Sequence, residues 1–254
     1  KIADEIGIDR VWVDLEILGK EERQKGYNSV ISYHTVHDVL NIKKILRNAK
    51  LQVRINPIND NSKKEINQVL DYGADIIMLP YYKTLREIHE FIDMVSGRAK
   101  TVLLLETKEA CEILDNTLNI PGVDEIHIGL NDLHLAYNKK FMFELLVDGL
   151  VDTLCKKIKA KNIPFGFGGI ARLGHGTVPA EYILPEHYRL GSTRVILSRS
   201  FYNASVDTNP YTTMKESMDA LRCYENKLRN SPISFFEHNH EQVKKIVEKI
   251  INES

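Results

Sequence analysis

The sequence is poor in the features that mark several large protein classes. It has three cysteines, Cys111, Cys155 and Cys223, odd in number, widely spaced and without a C-x-x-C pair. Neither a disulfide framework nor a zinc–thiolate cluster is written into that spacing, and the usage fits a reducing, cytoplasmic setting. No apolar run approaches the ~18 residues of a membrane span. No signal peptide is recognisable either, which makes Asn203-Ala-Ser205 a chance glycosylation sequon. Thirty-four basic residues face thirty-five acidic ones, for a formal net charge of -1. Without a basic stripe or arginine-rich tract, nucleic-acid binding has no electrostatic support. Internal repeats and low-complexity tracts are also missing.

What is present is a core. At 254 residues and 43% hydrophobic content, the chain can bury one large domain, and disorder is excluded. Apolar runs without helical period alternate with amphipathic stretches. Strands are expected at residues 10–15, 51–55, 75–79, 101–105, 125–128, 164–167 and 194–197. Helices are expected at 35–48, 62–72, 84–95, 107–117, about 141–161, 180–189, 211–229 and 241–252. Repeated β-α units predict an α/β fold with a parallel sheet wrapped by helices. A doubly wound sheet would want a glycine fingerprint after the first strand, and none is there. The architecture expected is a (β/α)8 TIM-type barrel over 1–202, with a helical extension over 203–254. Seven strands are legible where a barrel needs eight. The missing one is expected first, before Lys1, because the chain opens on a helix-like fragment.

Two acidic residues stand at the ends of successive apolar runs. Glu106 closes Thr-Val-Leu-Leu-Leu-Glu, and Asp132 follows Ile-His-Ile-Gly-Leu-Asn, 26 residues later. In a parallel barrel the C-terminal strand ends converge on the face where active sites form. Two carboxylates delivered there suit a hard divalent cation, Mg²⁺, Mn²⁺ or Co²⁺, and leave positions for water and substrate. The alternative reading of each is a helix cap or a salt bridge at the strand end.

Leu105-Glu106-Thr107-Lys108-Glu109-Ala110, Pro121-Gly122-Val123-Asp124 and Ile128-Gly129-Leu130-Asn131-Asp132-Leu133 together resemble the HpcH/HpaI aldolase and citrate lyase β-subunit superfamily. The likeness extends over Val53-Arg54, Leu70 to Ala74 and Ile76 to Pro80, roughly residues 9 to 200 in all. It implies Glu106 and Asp132 as metal ligands and Arg54 as the contact of the substrate's keto oxygen. It also implies a histidine in a D-x-E-H segment, paired with an aspartate before a glycine. Here Asp14-Leu15-Glu16 is followed by Ile17. An insertion would bring His34 to that role, with Asp71 as its partner, and His134 replaces the serine of D-L-S.

Other residues carry weaker signals. Gly129, Leu130 and Asn131 are candidates for substrate contact, as is Arg172, which follows the glycine-rich run from Phe165 and could reach a distal carboxylate or phosphate. Arg199 could serve the same anion. His127, alternating with Ile126 and Ile128, reads as a packing residue. Met214, Met218, Leu221 and Tyr224 form a packing stripe, against the barrel or a second copy. The resemblance makes a homo-oligomer plausible.

The reading is a divalent-metal-dependent lyase that makes or breaks a C–C bond through a pyruvate-type enolate, its partners being a small 2-oxo acid and an aldehyde. The rivals are a CoA-thioester lyase resembling the citrate lyase β subunit and a barrel that binds metal without catalysis.

Overall fold

A computed structural model describes residues 1–20, 33–198, 201, 202, 207 and 209–253. Seven strands occur among them: β1 (Arg10–Asp14), β2 (Lys50–Arg54), β3 (Ile76–Leu79), β4 (Lys100–Leu105), β5 (Glu125–Ile128), β6 (Phe165–Ile170) and β7 (Arg194–Leu197). They match the seven expected from the sequence, in sheet order β1-β2-β3-β4-β5-β6-β7. The pairs β1 with β2, β2 with β3, β3 with β4, and β6 with β7 are parallel. The closed eight-stranded barrel is not found. The order begins at β1 and ends at β7 among the described residues, and a short helix, α1 (Ile2–Glu5), lies before β1.

The chain divides into two compact units, Lys1 with Ala3–Ile126, and Ile2 with His127–Ser254. In the first, α2 (Val36–Ile45), α3 (Ser62–Asp71) and α4 (Leu85–Val95) follow β1, β2 and β3 in turn. The central strands are buried along most of their length, as parallel strands covered on both faces must be. Helix α4 shows how its sequence sets its bounds. Thr84 accepts from the Glu87 N–H, and the Glu87 carboxylate accepts from the Thr84 N–H, a reciprocal cap. The apolar stripe Ile88, Phe91 and Val95 is then buried on one face. Acidic side chains tie the returns into the strands. Asp4 accepts from the N–H groups of Arg47, Asn48 and Ala49, and Asp75 holds Lys43 and the Leu51 N–H.

The helix expected over 107–117 is two pieces, α5 (Lys108–Glu112) and α6 (Leu114–Thr117), which meet at Ile113. In the second unit, α7 (Leu130–Ala136) follows β5. The long helix expected from 141 is α8 (Glu144–Val147) and α9 (Leu150–Ala160). Gly149 separates these two with φ 87°, a backbone conformation that costs glycine little and interrupts a helix.

Helix α10 (Ala180–Leu190) is the hub for α11 (Pro210–Arg229) and α12 (Ile233–Glu253). Glu186, fully buried, accepts from Arg189, Asn239 and His240, so its charge is matched where water cannot reach it. Tyr188 stacks on Phe236, which explains why α12 starts before the expected Glu241. In the stripe on α11, Met218 and Leu221 are buried and Tyr224 donates to the Glu181 carbonyl of α10. Among the described residues no helix is long and apolar enough to cross a membrane.

Candidate active site

Strand register sorts the first unit's side chains onto two faces. Asp14 lies beside Arg54, Arg54 beside Met78, and Met78 beside Val102. Side chains two apart along each strand share that face. Its middle layer is apolar, with Trp12 against Ile76, Met78, Val102 and Leu104. Below, at the N-terminal strand ends, Arg10 donates twice to Glu125 at 2.7 Å and once to Gln52. Above, at the C-terminal ends, the polar residues of the candidate site gather.

Asp14 is their centre. Its two oxygens accept from Arg54 Nε at 2.9 Å and Arg54 Nη2 at 2.8 Å, a two-pronged pair. The Lys20 ammonium lies 2.7 Å from the same carboxylate. Arg54 also reaches Glu16 at 3.2 Å and sits over the Trp12 ring, 5.1 Å from its centroid. Burial pushes the Asp14 carboxyl up, but Arg54 and Lys20 outweigh it and hold it down at about 2. Burial works against the Arg54 charge too, and Asp14, Glu16 and Glu106 together raise the guanidinium above its ordinary value. Asp14 is therefore a fixed anion and Arg54 a fixed cation across the ordinary pH range.

Glu106 closes β4 and is buried. Its Oε1 accepts from the Tyr81 N–H at 3.0 Å. Tyr81 adopts φ 48°, a strained value for a residue with a side chain, and that turn is what aims its N–H at the carboxylate. The next residue on each side repeats the clamp, since Thr107 donates to the Tyr82 carbonyl at 2.9 Å.

A turn after β1 delivers Lys20. Asn56, just beyond β2, accepts from the N–H groups of Ile17 and Leu18 at 2.9 and 3.0 Å, and its own amide is held by Glu65 at 2.8 Å. Gly19 takes φ 70°, which reverses the chain and returns Lys20 over Asp14. The sequence reading missed Lys20. Its ammonium also lies 3.7 Å from the Glu16 carboxylate.

The remaining candidates separate. The His34 ring accepts at Nδ1 from the Asp14 N–H at 3.2 Å, so it does reach the end of β1, on the exposed side. With Nδ1 an acceptor, the neutral ring carries its proton on Nε2 and offers a donor there. Asp71 is exposed at the C-terminal end of α3 and leads into the start of β3. No hydrogen bond or ion pair joins it to His34 among the described residues, and chain direction puts it at the opposite end of its β-α unit. The insertion expected between Glu16 and His34 lies largely outside the described residues, as do Arg199 and Asn203 to Ser205.

In the second unit, Asp132 stands in the first turn of α7 and is partly exposed. Gly129 caps that helix, Leu130 is buried, and Asn131 is exposed. His134 is bonded to the Leu130 carbonyl inside the helix, and His127 to the Gly168 carbonyl, both packing roles. Arg172 pairs with Asp207 at 3.0 Å. Among the described residues no three His, Cys, Asp or Glu side chains gather into a metal cage.

Comparison with known proteins bears on the fold and the family. Among solved structures, an HpcH/HpaI aldolase from Desulfitobacterium hafniense DCB-2 aligns over 91% of this chain and 87% of its own, with TM-score 0.59 and 14% identity. An HpcH/HpaI aldolase/citrate lyase family protein from Burkholderia cenocepacia J2315 aligns over 87% and 95%, with TM-score 0.55 and 13% identity. Macrophomate synthase aligns over 75% and 70%, with TM-score 0.53 and 13% identity. At such identities the likeness is one of fold. No curated protein matches the chain by sequence. The sequence profile of HpcH/HpaI aldolase/citrate lyase matches residues 1–141, more than half of the 254, and the chain belongs to that family.

Proposed function

We propose that the protein is a divalent-metal-dependent lyase that cleaves or forms a C–C bond through the enolate of a 2-oxo acid, with an aldehyde as the other partner. The observation that carries this reading is the Asp14–Arg54 pair beside the buried Glu106. A guanidinium permanently charged and held by two hydrogen bonds suits an oxygen on which negative charge develops. Mg²⁺, Mn²⁺ or Co²⁺ suits the two carboxylates that the family resemblance implies, Glu106 and Asp132, because both offer hard oxygen ligands. Held by those two residues, such an ion would supply Lewis acidity at the keto group.

The chain's own residues then have separable tasks. Asp14, saturated by Arg54 and Lys20, is an anchor and too weakly basic to take a proton. Arg54 commits Nε and Nη2 to Asp14 and lies 3.2 Å from Glu16 through Nη1, and its remaining N–H groups would meet the keto oxygen. Tyr81 fixes one oxygen of Glu106. His34 Nε2, a donor at the exposed end of β1, would serve the oxygen of the aldehyde. In the cleavage direction the 4-hydroxyl loses its proton to water and the C3–C4 bond breaks. The electron pair moves into the C2–O enolate opposite Arg54, and C3 takes a proton to give the 2-oxo acid.

The test is pyruvate release from oxaloacetate and a panel of 4-hydroxy-2-oxo acids, with Mn²⁺ or Mg²⁺ and after EDTA. Release that needs the metal and is lost in Glu106→Ala and Asp132→Ala is the expected result. Equal release after EDTA and in both variants would overturn it.

A further inference from the structure

Lys20 is a buried lysine in the middle of the candidate site, and neither the family resemblance nor the sequence motifs give it a task. Its side chain is 4% exposed, between Asp14 at 2.7 Å and Glu16 at 3.7 Å. The Glu16 side chain is as deep, at 1%, whereas Asp14 and Arg54 are 14% and 13% exposed. That difference sorts the four charges into two layers. Arg54 and Asp14 face whatever enters, and Lys20 and Glu16 stand behind them.

We propose that Lys20 is a positioning residue of the enolate site, whose ammonium pins Asp14 so that Asp14 holds the Arg54 guanidinium in one orientation. The inference rests on the lyase reading for its effect on turnover, and on the hydrogen bonds alone for the arrangement itself. Without Lys20, Asp14 Oδ2 would keep Arg54 Nη2 as its one donor among the described residues. Arg54 would then be drawn between Asp14 and Glu16, since both lie within its reach. With Lys20 in place, Asp14 has one oxygen committed to Arg54 Nη2 and Lys20 together. Buried networks of this kind fix geometry when every member is matched.

A specific chain of contacts keeps the ammonium there. Glu65 holds Asn56, Asn56 holds the Ile17 and Leu18 N–H groups, and the Lys20 N–H closes the turn on the Ile17 carbonyl at 3.3 Å. A lysine serving only as surface charge would need no such bracing.

Lys20→Met and Lys20→Arg, checked as folded by thermal unfolding, test the proposal with two readouts. The first is steady-state turnover of the best 2-oxo acid with saturating Mn²⁺. Removing a partner that orients a functional group typically costs about 10–100-fold, and Lys20→Met should lose that much in kcat/KM, mostly in kcat. Lys20→Arg, which keeps the charge, should recover most of it. The second readout needs no substrate: the side-chain Nε–H resonance of Arg54 in ¹⁵N-labelled protein, assigned by its loss in Arg54→Lys. In Lys20→Met that resonance should shift and exchange faster with water. An unmoved resonance, or a Lys20→Arg as impaired as Lys20→Met, would overturn the proposal. A wild-type protein that turns over no 2-oxo acid would sink the lyase reading instead, with the Arg54 resonance still deciding the role of Lys20.

Discussion

Two arginine–carboxylate pairs lie on the same face of the first unit, and they differ in what surrounds them. At the N-terminal strand ends, Arg10 meets one carboxylate, Glu125, through two bonds of 2.7 Å, with Gln52 completing the set. One cation and one anion cancel, and the pair ties the first strand to the fifth. At the C-terminal ends, Arg54 meets Asp14 with the same two-pronged geometry, but Glu16, Lys20 and the field of Glu106 are added. That end holds more charge than strand pairing requires. Each buried charge costs desolvation, so an excess is retained where it does something besides stabilise. It is at that end that the proposed chemistry would take place.

Substitutions that break the two pairs should therefore separate stability from activity. Arg10→Ala removes the two-pronged partner of the buried Glu125, and its urea midpoint should drop by the equivalent of about 3–5 kcal/mol. Activity per folded molecule should be little changed. Arg54→Ala is expected to do the reverse, losing about 10²–10³ in kcat, the usual cost of a donor to a developing oxyanion. If Arg10→Ala abolished turnover in protein that remained folded, the division between the two ends would be wrong.

Acid should find the upper pair. Asp14 has a folded pKa of about 2 against an ordinary 3.8, so its contribution is full above the unfolded value. It is lost as pH falls from there through 2, a loss of about 2 kcal/mol. Urea midpoints measured from pH 5 down to 2 should fall less steeply in Asp14→Asn than in wild type. A cap far from both pairs gives the smallest effect. Thr84→Ala removes the oxygen that accepts from Glu87 N–H and should cost about 1 kcal/mol in the same titration, with kcat unaltered.

The strands were legible because each is an apolar run bounded by turn residues, and Glu106, Arg54 and Asp132 stood out because each follows such a run. Helices were less so. Periodicity alone joined 141 to 161 into one helix, although Gly149 breaks it in the left-handed region. It also missed the start of α12, which is fixed by Phe236 stacking on Tyr188 across the tertiary structure. Asp71 looked like a partner for His34 because it precedes Tyr72 and Gly73, yet a helix end followed by glycine is ordinary turn chemistry. Lys20 was invisible for the opposite reason. Its contact with Asp14 depends on Asn56 and Gly19 bending the chain back, and a sequence pattern does not carry that reversal.

The most direct test of the central claim watches the enolate without knowing the aldehyde. Pyruvate is incubated with the protein in D₂O, with Mn²⁺ or Mg²⁺, and its methyl protons are followed by NMR after the metal is removed. The account predicts exchange of those protons for deuterium well above the buffer rate, dependent on the metal and lost in Arg54→Ala. Exchange no faster than buffer at saturating metal would contradict it, and would favour a protein that binds metal without forming the enolate.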